Sequence, residues 1–580
     1  MKNKFTTILF FISIFTSINA QTSSFAWFNN INYNIDNTNN EFNENLKLIN
    51  NNKDIKFLII SGNISINGYL EEFEEVKTQL ESLSVKYYLL PGINDIERSL
   101  SLGTDYKNIF KKDHFIFNDK SVLHIGLRCQ KYPLNNFAHI TPSELNWVSD
   151  QLKSFPKIQK IFIYLNYPFP KIDNSLKLKN LLSGKDVRIF ITEEKKSYNI
   201  VYIKDDSLTI DDKSIDNTFY FIPQDSLDFI DYSITQPNKK SDLKFSILWQ
   251  KDLNTYTPNN VLIDSSKSFV INQHGIIFCL DENAKIIWTH NLGSKIISKP
   301  TIINGVLVAA TIDGDLLTIN SKTGQIIQSI GIDGVLTTEI LKTKIDFYGL
   351  ETDAVIVGSK DGTFYCYTLD KLELVWSNNP SNSEIITKPL SVNNRIIYGS
   401  KDGCVHSIDD RTGVLYWKWK PKKTKDLITD FSNPISDDGN IYISTSEGNI
   451  YKIDLLLGTT LLTISKGNPN LSIGLSSTGR TVIAFDEKKN LSFYYSKTGG
   501  IYKKLKMNLG EEITKNRPIE FNRNFLITTD HGILYLVDKN YNISPLLFLG
   551  SSALHTIQQI NDREFLISNY DGKIIFFTLQ

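Results

Sequence analysis

The residues that could carry chemistry in the first third of the chain follow predicted strands, and most of them are amides. They are Asn30, Asn32, Asn63, Asn94, Asp95 and Asn166. Folds that layer helices on sheets place their sites at such strand ends. Asp95 is the only carboxylate of the set, and an amide carbonyl is a neutral, weak ligand for divalent ions. These residues lie where such folds place functional sites, but their types argue against a metal centre.

Alternating strands and helices must position these residues. Three short apolar runs predict strands: Phe57–Ile60, Val85–Leu90 and Ile161–Leu165. From Leu70 onwards apolar residues recur at helical spacing. Thr141-Pro142-Ser143-Glu144 is a capping box with proline at the first helical position, which predicts a second helix. We therefore predict an α/β layered domain over residues 21–235.

The order and flanking residues of the strand ends resemble the calcineurin-like metallophosphoesterases. That family carries D-x-H after its first strand, G-D after the second and G-N-H-(D/E) after the third. Later strands of the family end in His and in G-H-x-H. Here Ser61-Gly62, Pro91-Gly92 and Tyr167-Pro168 match the flanks of those motifs independently of the asparagines. The resemblance implies a metallophosphoesterase-like fold with a former metal site at the strand ends.

The resemblance also implies that the metal ligands are lost. The former metal-site positions are Asn30, Asn32, Asn63, Ile93, Asn94 and Asn166. Asp95 is retained, but in the family this position supports the ligands and does not bind the ions. Thr192-Glu193-Glu194-Lys195 stands where the last motif should be. Two divalent ions need several carboxylates and imidazoles, so we expect neither a bound metal nor a catalytic residue in this domain.

An atypical metal site is the alternative for this domain. Glu193, Glu194, Asp95 and His139 could form it, although Glu193 and Glu194 are more simply part of a solvated charged turn. Of the other histidines between residues 21 and 233, His124 lies inside an apolar run and is expected to be buried.

The second half of the chain repeats one unit from about Leu243 to its end. The unit is a β-rich run, a tight turn with glycine, a second run, and often Thr-Gly before a third. Its Asp-Gly pairs tolerate the positive φ of a two-residue hairpin turn. The turn glycines are Gly275, Gly314, Gly362, Gly403, Gly448, Gly532 and Gly572, with Lys489-Asn490 at the one place without glycine. Eight turns about 40 to 48 residues apart predict the blades of a β-propeller.

Closure of the ring favours the count of eight blades. The last unit, Phe565–Gln580, lacks a third strand with tryptophan, and the unmatched run Phe245–Leu253 carries Trp249. Pairing these two segments would close the ring and remove its exposed edges. We therefore predict an all-β propeller over residues 243–580 with eight blades. Seven blades are the alternative if the unit near Asn490 is not a blade.

The repeats resemble the pyrroloquinoline-quinone-type propeller, G-S-x-D-G-x-L-Y-A-L-D-x-x-T-G-x-x-x-W. Gly399-Ser400-Lys401-Asp402-Gly403 and the following Thr412-Gly413 and Trp417 match it. The quinone dehydrogenases with such repeats also carry an adjacent Cys-Cys pair, and no two cysteines are adjacent here. The chain is more similar to the non-catalytic propellers of the outer-membrane barrel-assembly machinery. This resemblance implies protein binding, and we expect no quinone cofactor.

The N-terminal residues and the composition bear on location and partners. Residues 1–20 join a basic start to an apolar run and a cleavage site after Ala20, which predicts a signal peptide. We expect export to the periplasm, with the cell surface or secretion as alternatives, and no transmembrane segment in the mature chain. Lys plus Arg and Asp plus Glu are both 63, so no basic surplus favours nucleic acid. Cys279 and Cys366 fall within predicted strands and are expected to be buried.

These observations together predict a non-catalytic envelope protein. Its propeller would bind envelope proteins, and a pseudo-phosphoesterase domain would serve for docking. One alternative is a metal-dependent phosphoesterase with an atypical site, and only that function would require a divalent metal. Another is a propeller that binds a quinone or a sugar in its central channel.

Overall fold

The computed structural model describes most of the chain. The described residues are 23–35, 40–99, 101–131, 138–167, 172, 174–191, 196–204, 207–212, 221–223, 245–264, 266–421, 430–437, 439–467, 472–486, 488, 490–506, 518–529, 532–550 and 552–579. The predicted signal peptide, the junction between the domains and Thr192–Lys195 lie outside these ranges. Among the described residues no helix is long and apolar enough to cross a membrane.

The N-terminal domain contains two five-stranded sheets. Its strands are β1 (Ser23–Asn29), β2 (Ile55–Gly62), β3 (Lys86–Pro91), β4 (Phe115–Asp119), β5 (Val122–Leu127), β6 (Gln130–Lys131), β7 (Ala138–His139), β8 (Lys160–Leu165), β9 (Asp186–Ile191), β10 (Ser197–Lys204), β11 (Ser207–Asp212) and β12 (Phe221–Pro223). The first sheet has the order β11-β10-β1-β2-β3, and the second has the order β12-β9-β8-β5-β4. β1, β2 and β3 are parallel, as are β5, β8 and β9. The carboxyl ends of each parallel set therefore share one edge.

Helices cover the outer faces of both sheets. They are α1 (Asn40–Asn51), α2 (Leu70–Glu81), α3 (Thr104–Phe110), α4 (Pro142–Ser154) and α5 (Ser175–Leu181), with a π-helical turn over Asn94–Arg98. Phe73 of α2 packs against the first sheet, and Val148 of α4 packs against the second. Between the sheets lies an aromatic core that includes Phe25, Trp27 and Phe162. The predicted α/β layered domain is thus a four-layer sandwich, and burial of each such aromatic side chain contributes about 2 kcal/mol.

The C-terminal domain is a propeller of eight four-stranded blades. Blades 1 to 4 are β14 (Leu262–Asp264), β15 (Lys267–Ile271), β16 (Ile276–Leu280), β17 (Ile286–Asn291); β18 (Thr301–Ile303), β19 (Val306–Ala310), β20 (Asp315–Asn320), β21 (Ile326–Gly331); β22 (Leu341–Phe347), β23 (Leu350–Gly358), β24 (Phe364–Thr368), β25 (Leu374–Asn378); and β26 (Leu390–Val392), β27 (Arg395–Ser400), β28 (Cys404–Asp409), β29 (Leu415–Trp419). Blades 5 to 7 are β30 (Ile435–Ser436), β31 (Asn440–Ser444), β32 (Asn449–Asp454), β33 (Thr460–Ser465); β34 (Ile473–Leu475), β35 (Thr481–Phe485), β36 (Leu491–Tyr495), β37 (Ile501–Leu505); and β38 (Ile519–Phe521), β39 (Asn524–Thr528), β40 (Ile533–Val537), β41 (Ile543–Phe548).

The eighth blade closes the ring as the sequence predicted. It consists of β42 (Gln558–Gln559), β43 (Glu564–Ser568), β44 (Lys573–Leu579) and β13 (Phe245–Asp252), the first strand of the domain. β13 pairs with β44 in antiparallel register, from Phe245 opposite Leu579 to Asp252 opposite Lys573. The unit near Asn490 is blade 6, so the seven-blade alternative is wrong and the prediction of eight blades is confirmed.

The propeller has two faces that differ in the loops they carry. The strands of each blade are called A, B, C and D in sheet order, and the A strands of neighbouring blades contact each other around the centre. Because the strands are antiparallel, B–C turns and D–A connections lie on one face, named the proximal face here. A–B and C–D turns lie on the opposite, distal face. The four cysteines are buried, and no disulfide joins them.

Candidate functional site

The predicted site positions gather at the strand-end edge of the N-terminal domain. Asn30, Asn63 and Asn94 follow the parallel strands β1, β2 and β3, so all three lie at the edge where these strands end. Asn166 directly follows β8 of the second sheet. Its side chain donates from Nδ2 to the carbonyl oxygen of Pro91 at the end of β3, which joins the edges of the two sheets.

Three of the amide side chains bind backbone N–H groups. The Asn30 Oδ1 accepts from the backbone N of Asn63 at 2.7 Å, and the Asn63 Oδ1 accepts from the backbone N of Asn94 at 3.0 Å. The Asn166 Oδ1 accepts from the backbone N of Cys129 at 2.7 Å. Each of these oxygens therefore accepts a hydrogen bond from a backbone N–H group next to a strand end. Such buried or half-buried N–H groups need an acceptor within the protein.

The remaining three predicted positions are Asn32, Ile93 and Asn94, and they have local structural roles. The Asn94 Nδ2 donates to the carbonyl oxygen of Ile66 at 3.0 Å. Asn32 and Asn30 have φ of 46° and 48°, a left-handed conformation that asparagine tolerates better than most residues. The backbone N of Asn32 donates to the carbonyl oxygen of Asn63 at 3.0 Å. Ile93 is partly buried and packs against the core of the second sheet. Its side chain is a hydrocarbon and offers no ligand atom.

Asp95 is the charged residue among the predicted site positions. It is fully buried and accepts hydrogen bonds from the backbone N of Ile64 at 2.9 Å, of Ser65 at 2.8 Å and of Gly92 at 2.9 Å. Burial raises the pKa of Asp95 to about 7, although the three backbone N–H groups favour the ionised form. The carboxylate therefore ties together the loops that follow β2 and β3.

A charged cluster beside the edge was not predicted from the sequence. Arg128 forms an ion pair with Asp113 at 3.2 Å, and His114 lies 3.3 Å from Asp113 and 3.6 Å from Glu144. Hydrogen bonds to Asp113 and Glu144 raise the pKa of His114 to about 9. These residues come from three separate segments, and no local motif relates them. The cluster consists of compensating pairs, which is the pattern of a structural ion-pair network.

The same edge of the N-terminal domain contacts the proximal face of the propeller. His139 of β7 hydrogen-bonds through Nε2 with the carboxylate of Asp571, which stands in the B–C turn of blade 8. Lys177 of α5 also binds Asp571, at 3.0 Å. The Nζ of Lys360, in the B–C turn of blade 3, donates to the carbonyl oxygen of Ser99 just after the π-helical turn. His139 thus binds the propeller, whereas Asp95 binds backbone N–H groups of the N-terminal domain.

The described residues at this edge lack the charged ligands of a metal centre. Among the described residues no group of three or more His, Cys, Asp or Glu could hold a metal ion. Glu193 and Glu194 of the atypical alternative lie outside the described residues. Since the side-chain oxygens of Asn30, Asn63 and Asn166 already accept backbone hydrogen bonds and carry no charge, these described residues do not fit a dinuclear metal centre.

Comparison with protein families identifies the propeller repeats. The family model described as "Outer membrane protein assembly factor BamB" matches residues 246–327 and 340–547, together half of the chain. An outer membrane protein assembly factor BamB from Yersinia pestis is 21% identical over 236 residues, which cover 37% of this chain and 58% of the relative. The chain therefore spans less than two thirds of the length of the curated relative that it matches.

Two further similarities concern the separate halves of the molecule. A probable glycerophosphodiester phosphodiesterase GpdQ from Arcobacter nitrofigilis is 27% identical over 133 residues, which cover 22% of this chain and 48% of that protein. This match supports in part the resemblance of the N-terminal domain to phosphoesterases. The crystal structure of BamB from Moraxella catarrhalis has a TM-score of 0.47 and 17% identity, covering 58% of this chain and all of that one.

Proposed function

Since the chain belongs to the family of outer membrane protein assembly factor BamB, we propose that it is a non-catalytic scaffold of the cell envelope. Its propeller would bind envelope proteins, and its phosphoesterase-like domain would be a pseudoenzyme that serves for docking. Export by the signal peptide of residues 1–20 to the periplasm belongs to the same proposal. No metal and no quinone would be needed for this role.

The bonding of the strand-end amides is the observation that carries the pseudoenzyme proposal. A metal ligand must direct an oxygen or nitrogen lone pair at the ion and must help to offset its charge. Asn30, Asn63 and Asn166 instead direct their side-chain oxygens at backbone N–H groups, at 2.7 to 3.0 Å. Replacing an ionised ligand by an amide in such a position removes the charge while it keeps the loop conformation.

The contact with the propeller supports a docking role for this domain. Asp571 binds both His139 and Lys177, and Lys360 binds the segment that follows the π-helical turn. In a layered α/β fold the strand-end edge is the usual place for a ligand. Here that edge supplies residues that hold the two domains together.

A metal-dependent phosphoesterase with an atypical site is the second candidate function. The similarity to the Arcobacter nitrofigilis protein favours it, because that protein is described as a probable phosphodiesterase. This candidate needs ligands from residues such as Asp95 and Glu193, and it predicts turnover that depends on both.

Metal analysis with an activity assay separates the two candidates. The mature protein is purified without chelators, its Mn, Fe and Zn contents are measured, and hydrolysis of bis(p-nitrophenyl) phosphate is followed after addition of Mn²⁺. We expect substoichiometric metal and no turnover above that of the Asp95→Asn variant. Two bound ions per chain with Asp95-dependent turnover would contradict the pseudoenzyme proposal.

A further inference from the structure

The two faces of the propeller are not equally available to a partner. The N-terminal domain occupies part of the proximal face through its contacts with Asp571 and Lys360. The distal turns of blades 3 to 5 instead form hydrogen bonds within the propeller, from Thr343 to Asp410 and from Trp417 to Leu455. A partner that binds at these blades can therefore reach the distal face without displacing the N-terminal domain.

A C–D turn on the distal face departs from the pattern of its repeats. In blades 2 to 6 this turn has one hydrogen-bonded form, in which a backbone N–H returns to the carbonyl four residues earlier. In blades 2, 3, 4 and 6 its two central positions are polar pairs: Lys322-Thr323, Asp370-Lys371, Arg411-Thr412 and Lys497-Thr498. In blade 5 the pair is Leu456-Leu457, and these side chains are 66% and 71% exposed.

The frame of the blade 5 turn is nevertheless intact. The Asp454 Oδ1 accepts from the backbone N of Leu456 at 2.9 Å and of Leu457 at 2.8 Å. The equivalent Asp409 binds the turn of blade 4 in the same way. The two leucines are therefore not required for the turn to form. Four related turns carry polar side chains at these two positions and fold in the same way. The exposed leucines therefore indicate an interaction surface and are not needed for the fold of the turn.

A second exposed apolar group lies on the same face, on blade 3. The A–B hairpin of blade 3 is formed by β22 and β23, of seven and nine residues, whereas the same strands in blade 2 have three and five. Its tip turns through Tyr348 and Gly349, with φ of 54° and 80°. Tyr348 is 91% exposed and Leu350 is 70% exposed.

Hydrogen bonds at its base hold the hairpin in place. Thr343 donates from Oγ1 to Asp410 of blade 4 at 3.1 Å, and Asn304 of blade 2 donates to Asp353 at 2.8 Å. Blade 4 in turn contacts blade 5, since Trp417 donates from Nε1 to the carbonyl oxygen of Leu455 at 3.0 Å. The exposed tip and the leucine pair therefore belong to one braced surface, and such a preorganised surface loses little entropy on binding.

The charges around the hairpin tip favour a protein over a lipid surface. Between Leu341 and Asp353 the hairpin carries Lys342 and Lys344 but three acidic residues, so it has one negative charge in excess. Lys344 is already paired with Glu351. Segments that insert into anionic membranes carry surplus cations beside their apolar residues. The acidic surplus instead complements a partner whose apolar groove is bordered by basic side chains.

We propose that the distal turns of blades 3 to 5 form a docking surface for a protein with an apolar groove and a cationic rim. Leu456, Leu457 and Tyr348 are its anchors. The inference deepens the scaffold function proposed above and rests on it. Aromatic side chains such as Tyr348 are frequent energetic centres of protein interfaces.

Restoring the polar pair of the repeats tests this surface. The variant Leu456→Lys/Leu457→Thr copies the turn of blades 2 and 6, so it should fold, which its unfolding temperature checks. The matched control is Ile286→Lys/Ile287→Thr, which replaces two exposed isoleucines on the outer strand of blade 1. The immobilised full-length mature chain captures proteins from a solubilised envelope extract. The captured protein is identified by mass spectrometry, purified, and titrated against wild type, both double variants and Tyr348→Ser.

The expected result is a Kd at least about 10-fold weaker for the Leu456/Leu457 variant and for Tyr348→Ser, with the control unchanged. Binding that is equally strong in all four chains would overturn this inference but would leave the scaffold function intact. Failure to capture any protein would count against both. Leucine-dependent flotation with phosphatidylglycerol vesicles, or leucine-dependent dimers in sedimentation velocity, would replace the proposed partner by a lipid surface or by a second copy.

Discussion

At the scale of single residues, the strand-end asparagines hold neighbouring backbone segments together through their amide side chains. Asn166 is buried, and its amide binds both the N–H and the carbonyl of Cys129 as well as the carbonyl of Pro91. An imidazole at this position could not satisfy the same three groups, because a neutral ring has one acceptor but only one N–H donor, whereas the amide has one acceptor oxygen and two N–H donors. The amide is therefore suited to a structural role at this edge.

Asn166→Ala should test that structural role. It would leave buried backbone groups at Pro91 and Cys129 without partners, so we expect the free energy of unfolding to fall by about 3 kcal/mol. Urea denaturation of the full chain measures the change. Asn118→Ala, on the exposed side of β4, is the control and should change stability by less than about 0.5 kcal/mol. Equal effects of the two substitutions would show that the hydrogen bonds of Asn166 contribute nothing.

At the scale of the elements, neighbouring blades are joined by contacts between a tryptophan and a turn glycine. Gly324 packs against Trp288 of the preceding blade, Gly413 against Trp376 and Gly458 against Trp417. The Thr-Gly and tryptophan of the repeat motif thus serve the packing between blades. The sequence predicted the repeat. The structure shows that the D strand of one blade, which carries the tryptophan, packs against the C–D turn of the next blade.

Gly413→Ala should disrupt one of these interfaces. Gly413 has φ of 70°, and an added Cβ would lie 2.5 Å from the Trp376 ring. We expect a loss of about 3 kcal/mol, from the left-handed backbone and from overpacking. Gly293→Ala is the control, since Gly293 has φ of 79° with nothing within 4 Å of the added Cβ, and it should cost only about 1 kcal/mol. The measurement is denaturant unfolding, and equal losses would show that the ring contact is unimportant.

At the scale of the whole molecule, Asp571 connects the two domains. Burial alone would raise the pKa of Asp571, but the charges of His139 and Lys177 hold it well below its usual range. The B–C turn of blade 3 also contacts the N-terminal domain, through Lys360 and the carbonyl oxygen of Ser99. The B–C turn of blade 8 contacts residues more than three hundred positions away in the chain through Asp571.

Asp571→Ala should uncouple the domains. It would leave His139 buried without its carboxylate, at an expected cost of about 3 kcal/mol. Because the lost contact joins the domains, we expect a single calorimetric unfolding transition to separate into two. Asp313→Ala, at the equivalent exposed turn position of blade 2, is the control and should leave the transition unchanged. A uniform shift of one transition in Asp571→Ala would contradict a specific role in domain coupling.

The sequence by itself determined the features that local periodicity encodes. The spacing of the turn glycines predicted eight blades, and the unmatched strand with Trp249 predicted closure of the ring, which β13 and β44 confirm. The strand-end positions place Asn30, Asn63 and Asn94 at one edge of the first sheet, because parallel strands end together, and Asn166 at the end of a strand of the second sheet. That these positions bind no metal stays a prediction.

The contacts of these residues follow from the packing of segments that are distant in the chain. Nothing in the sequence around His139 indicated Asp571 as its partner, and His139 was instead considered for a metal site with Asp95. Nor could the sequence assign the proximal face to the N-terminal domain. The physical reason is that helices, strands and repeats arise from interactions between residues close in the chain, which leave a period. A contact between two folded surfaces depends on shape and charge assembled from distant segments, and it leaves none.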